Sequence, residues 1–224
     1  MDLTTVHLVR HGEVDNPQGI LYGRKPGFHL TELGRRMAQG LGETFSNGHD
    51  VRLVVTSPLE RAIETGTPTA VACGLPVVHD ARLIEADNYF EGLAVNDNRW
   101  MLAHPQYWSW YKNPFEPSWG EPYTEIVARM SAVISESIDL ARGGEAVLVS
   151  HQLPIWTMRR FVEQKSLAHD PRKRECSLAS VTSLTFADKQ LISWKYWEPV
   201  AELMRRAQDM VPGTSEAEAK KPQS

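Results

Sequence analysis

The chain has 224 residues and a formal net charge of −4, a length that at roughly 150 residues per domain argues for one generous domain able to bury a core without disulfides or a structural metal. Mild acidity disfavours a large nucleic-acid face, and no apolar run approaches the ~18 residues needed to cross a bilayer. Cys73 and Cys176 stand far apart without metal-clip spacing, as expected of inert thiols in the reducing cytoplasm.

Val6, Leu8 and Val9 predict a buried strand that stops at Arg10-His11-Gly12. A Gly/Pro-rich loop (Asn16 to Gly27) follows. Thr31 then caps a helix whose apolar stripe is Leu33, Met37, Leu41 and Phe45. Val51 to Thr56 predicts a second strand, and Ser57-Pro58 a helix opening with Pro in its first turn and bent or ended by Gly66 and Pro68. Pro76 to His79 is a short third strand. Ten of the chain's aromatic residues (7 Trp, 6 Tyr and 6 Phe in all) crowd between Ala86 and Thr124, predicting a helical cap insert over 86–124. A long helix after Pro122 carries Ile126, Met130, Val133, Ile134 and Ile138 on one face and closes at Gly143-Gly144. Ala146 to Ser150 is a fourth strand ending at His151, and Leu153 to Glu163 the next helix. Val181 to Phe186 and Leu191 to Trp197 form a hairpin about Asp188-Lys189, and Val200 to Met210 an amphipathic helix. Residues 211–224, rich in Gly, Ser, Glu, Lys and Pro, predict a disordered tail, leaving one domain over 1–210.

Alternating strands and helices imply an α/β fold: three layers, α/β/α, around a mostly parallel central sheet with a C-terminal hairpin. Ligands in such folds bind beyond the carboxyl ends of the strands. Two strands end in histidine, at His11 and His151, and a third ends before Ser57 to Arg61, so the three places can meet. Imidazole is nucleophilic near neutral pH, and an adjacent guanidinium can fork phosphoryl oxygens. The plain alternative for Arg10-His11-Gly12 is a charged strand end with a turn glycine.

Leu8-Val9-Arg10-His11-Gly12-Glu13 resembles the nucleophile motif of the histidine phosphatase superfamily, which includes cofactor-dependent phosphoglycerate mutases and many phosphatases. Leu30-Thr31-Glu32-Leu33-Gly34 resembles the helix start that follows it. Ser57-Pro58-Leu59-Glu60-Arg61 through Thr65 is similar to the second arginine motif, Leu83-Ile84-Glu85 with Phe90-Glu91-Gly92 to the acid motif, and Val149-Ser150-His151 to the second histidine motif. The resemblance covers about Thr5 to Phe186 in the family's order. It implies His11 as the nucleophile forming a phosphohistidine, Glu85 as proton donor, and Arg10, Arg61 and a cationic His151 around the phosphoryl group, with no cofactor. Asp87 and Glu91 compete with Glu85 for the acid.

The chain departs from the family in three ways. Asn16 lies five residues after His11 where the family often has six, and is a candidate phosphate contact. Gln152 follows the second histidine where glycine is common, narrowing the site or adding a donor. Tyr22-Gly23-Arg24-Lys25 places cations on a loop, with Gly23 a candidate substrate contact; a solvated basic loop is the equal alternative. His7, His29, His49, His79, His104 and His169 read as ordinary histidines, His29 being the likeliest to border the site. Arg172-Lys173-Arg174 reads as a solvated turn before the hairpin, with a role in binding an acidic partner as the alternative. No phosphate-binding glycine loop, dinucleotide fingerprint or H-E-x-x-H motif occurs, so no metal is implied.

The same constellation serves hydrolysis or transfer. Between Ala86 and Thr124 acidic residues outnumber basic ones, which does not suit a mutase holding a carboxylated bisphosphate; the aromatics there either pack on one another or favour an apolar leaving group. The sequence therefore predicts a metal-independent phosphomonoesterase acting on a small-molecule phosphate monoester. A phosphoglycerate-mutase-type transferase is the alternative, and an inactive phospholigand-binding protein a third. No nucleic-acid or membrane partner is expected, and a homodimer is compatible with the reading.

Overall fold

A computed structural model of the chain describes residues 2–92 and 120–209. Six strands form one sheet: β1 (Leu3–Arg10), β2 (Val51–Thr56), β3 (Val77–His79), β4 (Glu145–Ser150), β5 (Val181–Ala187) and β6 (Gln190–Trp197), in the order β3-β2-β4-β1-β5-β6. The first four in that order run parallel, and β5 and β6 are antiparallel additions at the β1 edge. The β5–β6 turn holds Asp188 and Lys189 at φ 45° and 68°, the left-handed pair that a two-residue hairpin requires.

Side chains alternate between the two faces of each strand. Val6 and Leu8 with Ala146 and Leu148 meet Ile126, Met130, Val133 and Ile134 of α3 (Tyr123–Leu140) and Ile155 and Met158 of α4 (Gln152–Val162). On the other face Val9, Val54, Val147 and Val149 meet Met37, Leu41 and Phe45 of α1 (Glu32–Ser46) and Ala62 and Ala70 of α2 (Glu60–Cys73). The expected three-layer α/β fold is therefore present. The aromatic cap and the tail fall largely on residues 93–119 and 210–224, outside the described residues. At the insert's described edges Asn88 and Gly120 form a bridge, Phe90 is buried and Tyr89 is exposed.

Three local expectations need correction. α2 starts at Glu60, and Pro58 lies before it: Leu59 is the cap, its carbonyl accepting from the Ala62 and Ile63 amides. Pro68 does not end α2, which continues to Cys73 and closes at Gly74 in the left-handed region, its N–H bonding the Ala70 and Val71 carbonyls. The last helix is one short turn, α5 (Ala201–Met204), after which residues 205–209 leave the helix and turn back toward β1.

Thr31 caps α1 by accepting from the Gly34 amide, and its own N–H bonds the Glu13 carbonyl. Gly34 lies so close to that carbonyl that a β-carbon would overlap it, and Gly12 packs against Gly34 in turn. The loop after β1 is thereby pressed onto the first turn of α1. Alanine in a helix is ordinarily about 1 kcal/mol better than glycine, but here the backbone must move, so Gly34→Ala is expected to destabilise by ~1–3 kcal/mol. Thermal denaturation should show a midpoint lowered by several degrees. An unchanged or raised midpoint would show that the close approach is not needed.

Candidate active site

The carboxyl ends of β1 and β4 lead to a cavity of about 320 Å³ lined by Arg10, His11, Tyr22, Glu85, Gln152 and Arg174 among others, whereas Arg61 and His151 are buried outside its lining. Its size falls in the lower range of small-molecule sites. His11 follows β1 and is buried. Its Nδ1 lies 2.8 Å from the Gly12 carbonyl, which can only accept, so Nδ1 carries the proton and Nε2 keeps the lone pair. Burial first, then Arg61 and Arg10, holds the His11 pKa well below 6.5. The imidazole is neutral at neutral pH. Its ring centroid is 5.2 Å from that of His151.

His151 caps α4, and its Nε2 meets Ser57 Oγ at 2.8 Å. Burial, then Arg61 and His11, pushes its pKa well below 6.5. A helix N-terminus also disfavours a cation. In these surroundings the ring is neutral at neutral pH, and the expected cationic form of His151 needs the negative charge of a phosphoryl group beside it.

Arg61, in the first turn of α2, has no exposed surface. Its Nη2 donates to the Gly23 carbonyl at 2.6 Å, and its guanidinium lies 4.7 Å from the Tyr22 ring centroid. Thr65 ties the parts together, its hydroxyl accepting from the Gly12 amide and donating to the Arg61 carbonyl. Arg10 is engaged at the outer end of its guanidinium: Nη1 and Nη2 clasp Asp209 at 2.6 and 2.7 Å, and Nη1 also donates to the Cys176 carbonyl. What remains is a set of buried nitrogens without a hydrogen-bond partner among the described residues: Arg10 Nε, Arg61 Nε and Nη1, and His151 Nδ1. Buried donors left unmade cost about 1–3 kcal/mol each, more when charged. A group rich in acceptor oxygens would satisfy them.

Glu85 lines the same cavity. One of its oxygens accepts from the Ala86 amide at 2.8 Å, but burial outweighs this and raises its pKa above 4.5. Of its two rivals, Asp87 lines the cavity from an exposed position, while Glu91 lies outside the lining and accepts from the Arg24 amide at 2.7 Å.

The other candidate residues divide. Gly23 and Gln152 line the cavity, whereas Asn16 does not: its side-chain amide bonds both backbone groups of Ile20. Arg24 is no free cation, since it bonds the Glu85 carbonyl and pairs with Glu121, which Arg129 also holds. His29 faces away and pairs with Glu64. Sequence reasoning missed three residues. His169 and Arg174 line the cavity, although both read as ordinary surface residues, and Asp209 reaches Arg10 from what read as the end of an amphipathic helix. One signal was available: Arg174 is the member of the Arg172-Lys173-Arg174 run nearest to a buried strand.

A metal could be held only elsewhere among the described residues. The ligand atoms of His7, His49 and Glu145 lie within 4.8 Å of one another. These residues belong to the opposite end of the sheet and satisfy one another, both imidazoles meeting Glu145 Oε2 at 3.0 and 2.7 Å and His7 Nδ1 meeting Ser183 Oγ. The reacting cavity takes no part in that cluster. No helix among the described residues is long and apolar enough to cross a membrane.

Comparison with known proteins agrees with this geometry. The chain is 47% identical over 198 residues to an uncharacterised protein of Mycobacterium tuberculosis, covering 88% of this chain and 98% of that one. It is 30% identical over 187 residues to a probable phosphoglycerate mutase of Yersinia pestis, covering 79% and 83%. In structure it resembles a mycobacterial glucosyl-3-phosphoglycerate phosphatase, with a TM-score of 0.70 and 25% identity over 87% of this chain and 97% of the other. A putative α-ribazole-5′-phosphate phosphatase of Escherichia coli shares the fold, with a TM-score of 0.69 and 21% identity over 95% and 99%. Residues 6–199 match the family model of the histidine phosphatase superfamily (branch 1), and the chain belongs to that superfamily.

Proposed function

We propose that the protein is a metal-independent phosphomonoesterase working through a phosphohistidine. The observation that carries this reading is His11, a neutral imidazole with its Nε2 lone pair fixed by the Nδ1 bond to Gly12, set among buried cationic donors that lack partners. Arg10 and Arg61 hold the phosphoryl oxygens in place of those missing bonds and stabilise the charge of the transferring group. Nε2 attacks phosphorus and the ester P–O bond breaks. Glu85, whose pKa desolvation raises, gives a proton to the departing alkoxide when it holds one. Glu85 then takes a proton from water, the resulting hydroxyl attacks phosphorus, the P–N bond breaks, and inorganic phosphate leaves with His11 neutral again. His151, which meets Ser57 through Nε2, presents Nδ1 to the phosphoryl group.

A second reading, transfer of the phosphoryl group to another substrate hydroxyl, is favoured by the likeness to a probable phosphoglycerate mutase. The two differ only in what attacks the phosphohistidine. Hydrolysis of p-nitrophenyl phosphate in EDTA, and its loss in His11→Ala, is the expected outcome. Loss of the wild-type rate on chelation would overturn the mechanism. Exchange of phosphate between mono- and bisphosphoglycerate without net release would favour transfer.

The pKa directions fix a pH signature. The acid must be protonated, so kcat/KM for an alkyl ester should fall as pH rises through the elevated Glu85 value. No loss should arise from His11 near pH 6.5, because its value lies well below that. Glu85→Gln should slow alkyl esters by about 10²- to 10⁴-fold, and the nitrophenyl ester far less. Dividing the wild-type profile by that of the variant removes the ester's own ionisation. Equal losses for both esters would assign the acid elsewhere.

Asp209 tests the arrangement of Arg10. The carboxylate holds the outer pair of Nη groups and leaves Nε and one Nη2 hydrogen for the phosphoryl group. Asp209→Ala should therefore lower kcat/KM about 10- to 100-fold and weaken competitive inhibition by inorganic phosphate. Higher activity in the variant would instead show that Asp209 competes with substrate for Arg10.

A further inference from the structure

Arg174 follows the single 3₁₀ turn Pro171–Lys173 and lines the cavity that contains His11 and Glu85. Its bonds are unusual for a cation. Nε donates to His169 Nε2 at 2.9 Å and Nη1 to the Gln152 side-chain oxygen at 3.3 Å. His169 Nδ1 lies 2.6 Å from the Leu167 carbonyl, so that nitrogen carries the ring proton and Nε2 accepts. Burial lowers the His169 pKa to about 4, so the ring is neutral at neutral pH. Both partners of Arg174 are thus uncharged acceptors. They orient the guanidinium and do nothing to neutralise it.

The acids that could do so are engaged. Asp170 pairs with Arg172, Glu175 with Arg159, and Glu121 with Arg24 and Arg129. Glu85 is close enough for its charge to act on Arg174, yet burial favours its neutral form. Among the described residues Arg174 has no carboxylate partner. Three of its five N–H groups remain, enough for a two-point contact with an anion.

Position gives this cation its meaning. Arg10 and Arg61 surround His11, where the phosphoryl group must sit. The proton donor marks the opposite side of the ester, where the alcohol leaves. Arg174 is coupled electrostatically to Glu85 and lines the cavity alongside Gln152 and Tyr123. On the phosphatase reading above, we propose that Arg174 is a specificity-determining residue that binds an anionic group, a carboxylate or a second phosphoryl group, on the leaving alcohol. The natural substrate is then a phosphate monoester with at least two separate anionic ends, and the first product to leave is an anionic alcohol.

Three esters of one skeleton test this: propyl phosphate, 3-phosphooxypropanoate and propane-1,3-diol bisphosphate. Wild-type kcat/KM should be about 10- to 100-fold higher for one or both of the doubly anionic esters than for propyl phosphate, the difference a hydrogen bond to a charged group makes. Whichever is preferred identifies the anion. In Arg174→Gln the ratio should collapse toward one, and in Arg174→Lys, which keeps the charge without the fork, it should recover in part. A wild-type ratio near one, or a ratio unmoved in Arg174→Gln, would overturn the proposal. Calorimetric titration of the same esters into His11→Ala reads the subsite without turnover. A retained preference there, in a wild-type protein that hydrolyses none of the esters nor p-nitrophenyl phosphate, would uphold the subsite and overturn the phosphatase reading. Equal affinities would overturn the subsite alone.

Discussion

A guanidinium with no exposed surface and no paired carboxylate is among the most expensive things a fold can contain, and among the described residues Arg61 is such a group. Much of the local architecture answers to it. The Gly23 carbonyl takes one hydrogen bond, the Tyr22 ring covers its face, and Thr65 binds the Arg61 carbonyl to the loop that carries His11. Burial lowers the pKa of His11 and of His151, and the same charge adds to that shift in both. The uncompensated cation therefore does two things at once. It leaves donors ready for an anion, and it keeps an unprotonated imidazole available beside them.

The sheet makes this affordable. β1 lies in its interior, with β4 parallel on one side and β5 antiparallel on the other, so the strand that ends in Arg10 and His11 has little freedom. Residues just beyond such a strand are fixed by the ladder behind them, and the Gly12–Gly34 contact adds a second restraint from α1. A side chain so held pays little orientation entropy when a ligand arrives.

The sequence was most readable where periodicity and burial coincide. Val51 to Thr56 and the α3 stripe came out nearly residue for residue, because an apolar strand between two helical layers and a one-faced helix each leave a strong pattern. His11, Glu85 and His151 were readable because each follows or neighbours a well-marked element. Other features depend on tertiary contacts that no local pattern reports. Arg174 resembles its solvated neighbour Arg172 until the chain folds, and the difference lies in whether a carboxylate is near. Asp209 is one acid in a polar C-terminal stretch, and its role exists only when it meets Arg10. The neutrality of His151 follows from burial, then from a neighbouring arginine and the start of a helix, not from its own residue type. Pro68 shows the reverse case, since local propensity predicted that it bends or ends the helix, and α2, packed against α1, runs on past it to Cys73.

The Arg10–Asp209 clasp joins two side chains 199 positions apart, and the sheet neighbours of β1, β4 and β5, both come from the second half of the chain. Synthesis runs from amino to carboxyl end, so the strand that ends in His11 is made long before the partners that position it. It has no sheet to join until β4 and β5 have emerged, and Arg10 lacks the Asp209 carboxylate until residue 209 has followed. Until then His11 is a solvated histidine beside Arg10, without the burial and the second arginine that lower its pKa in the folded protein.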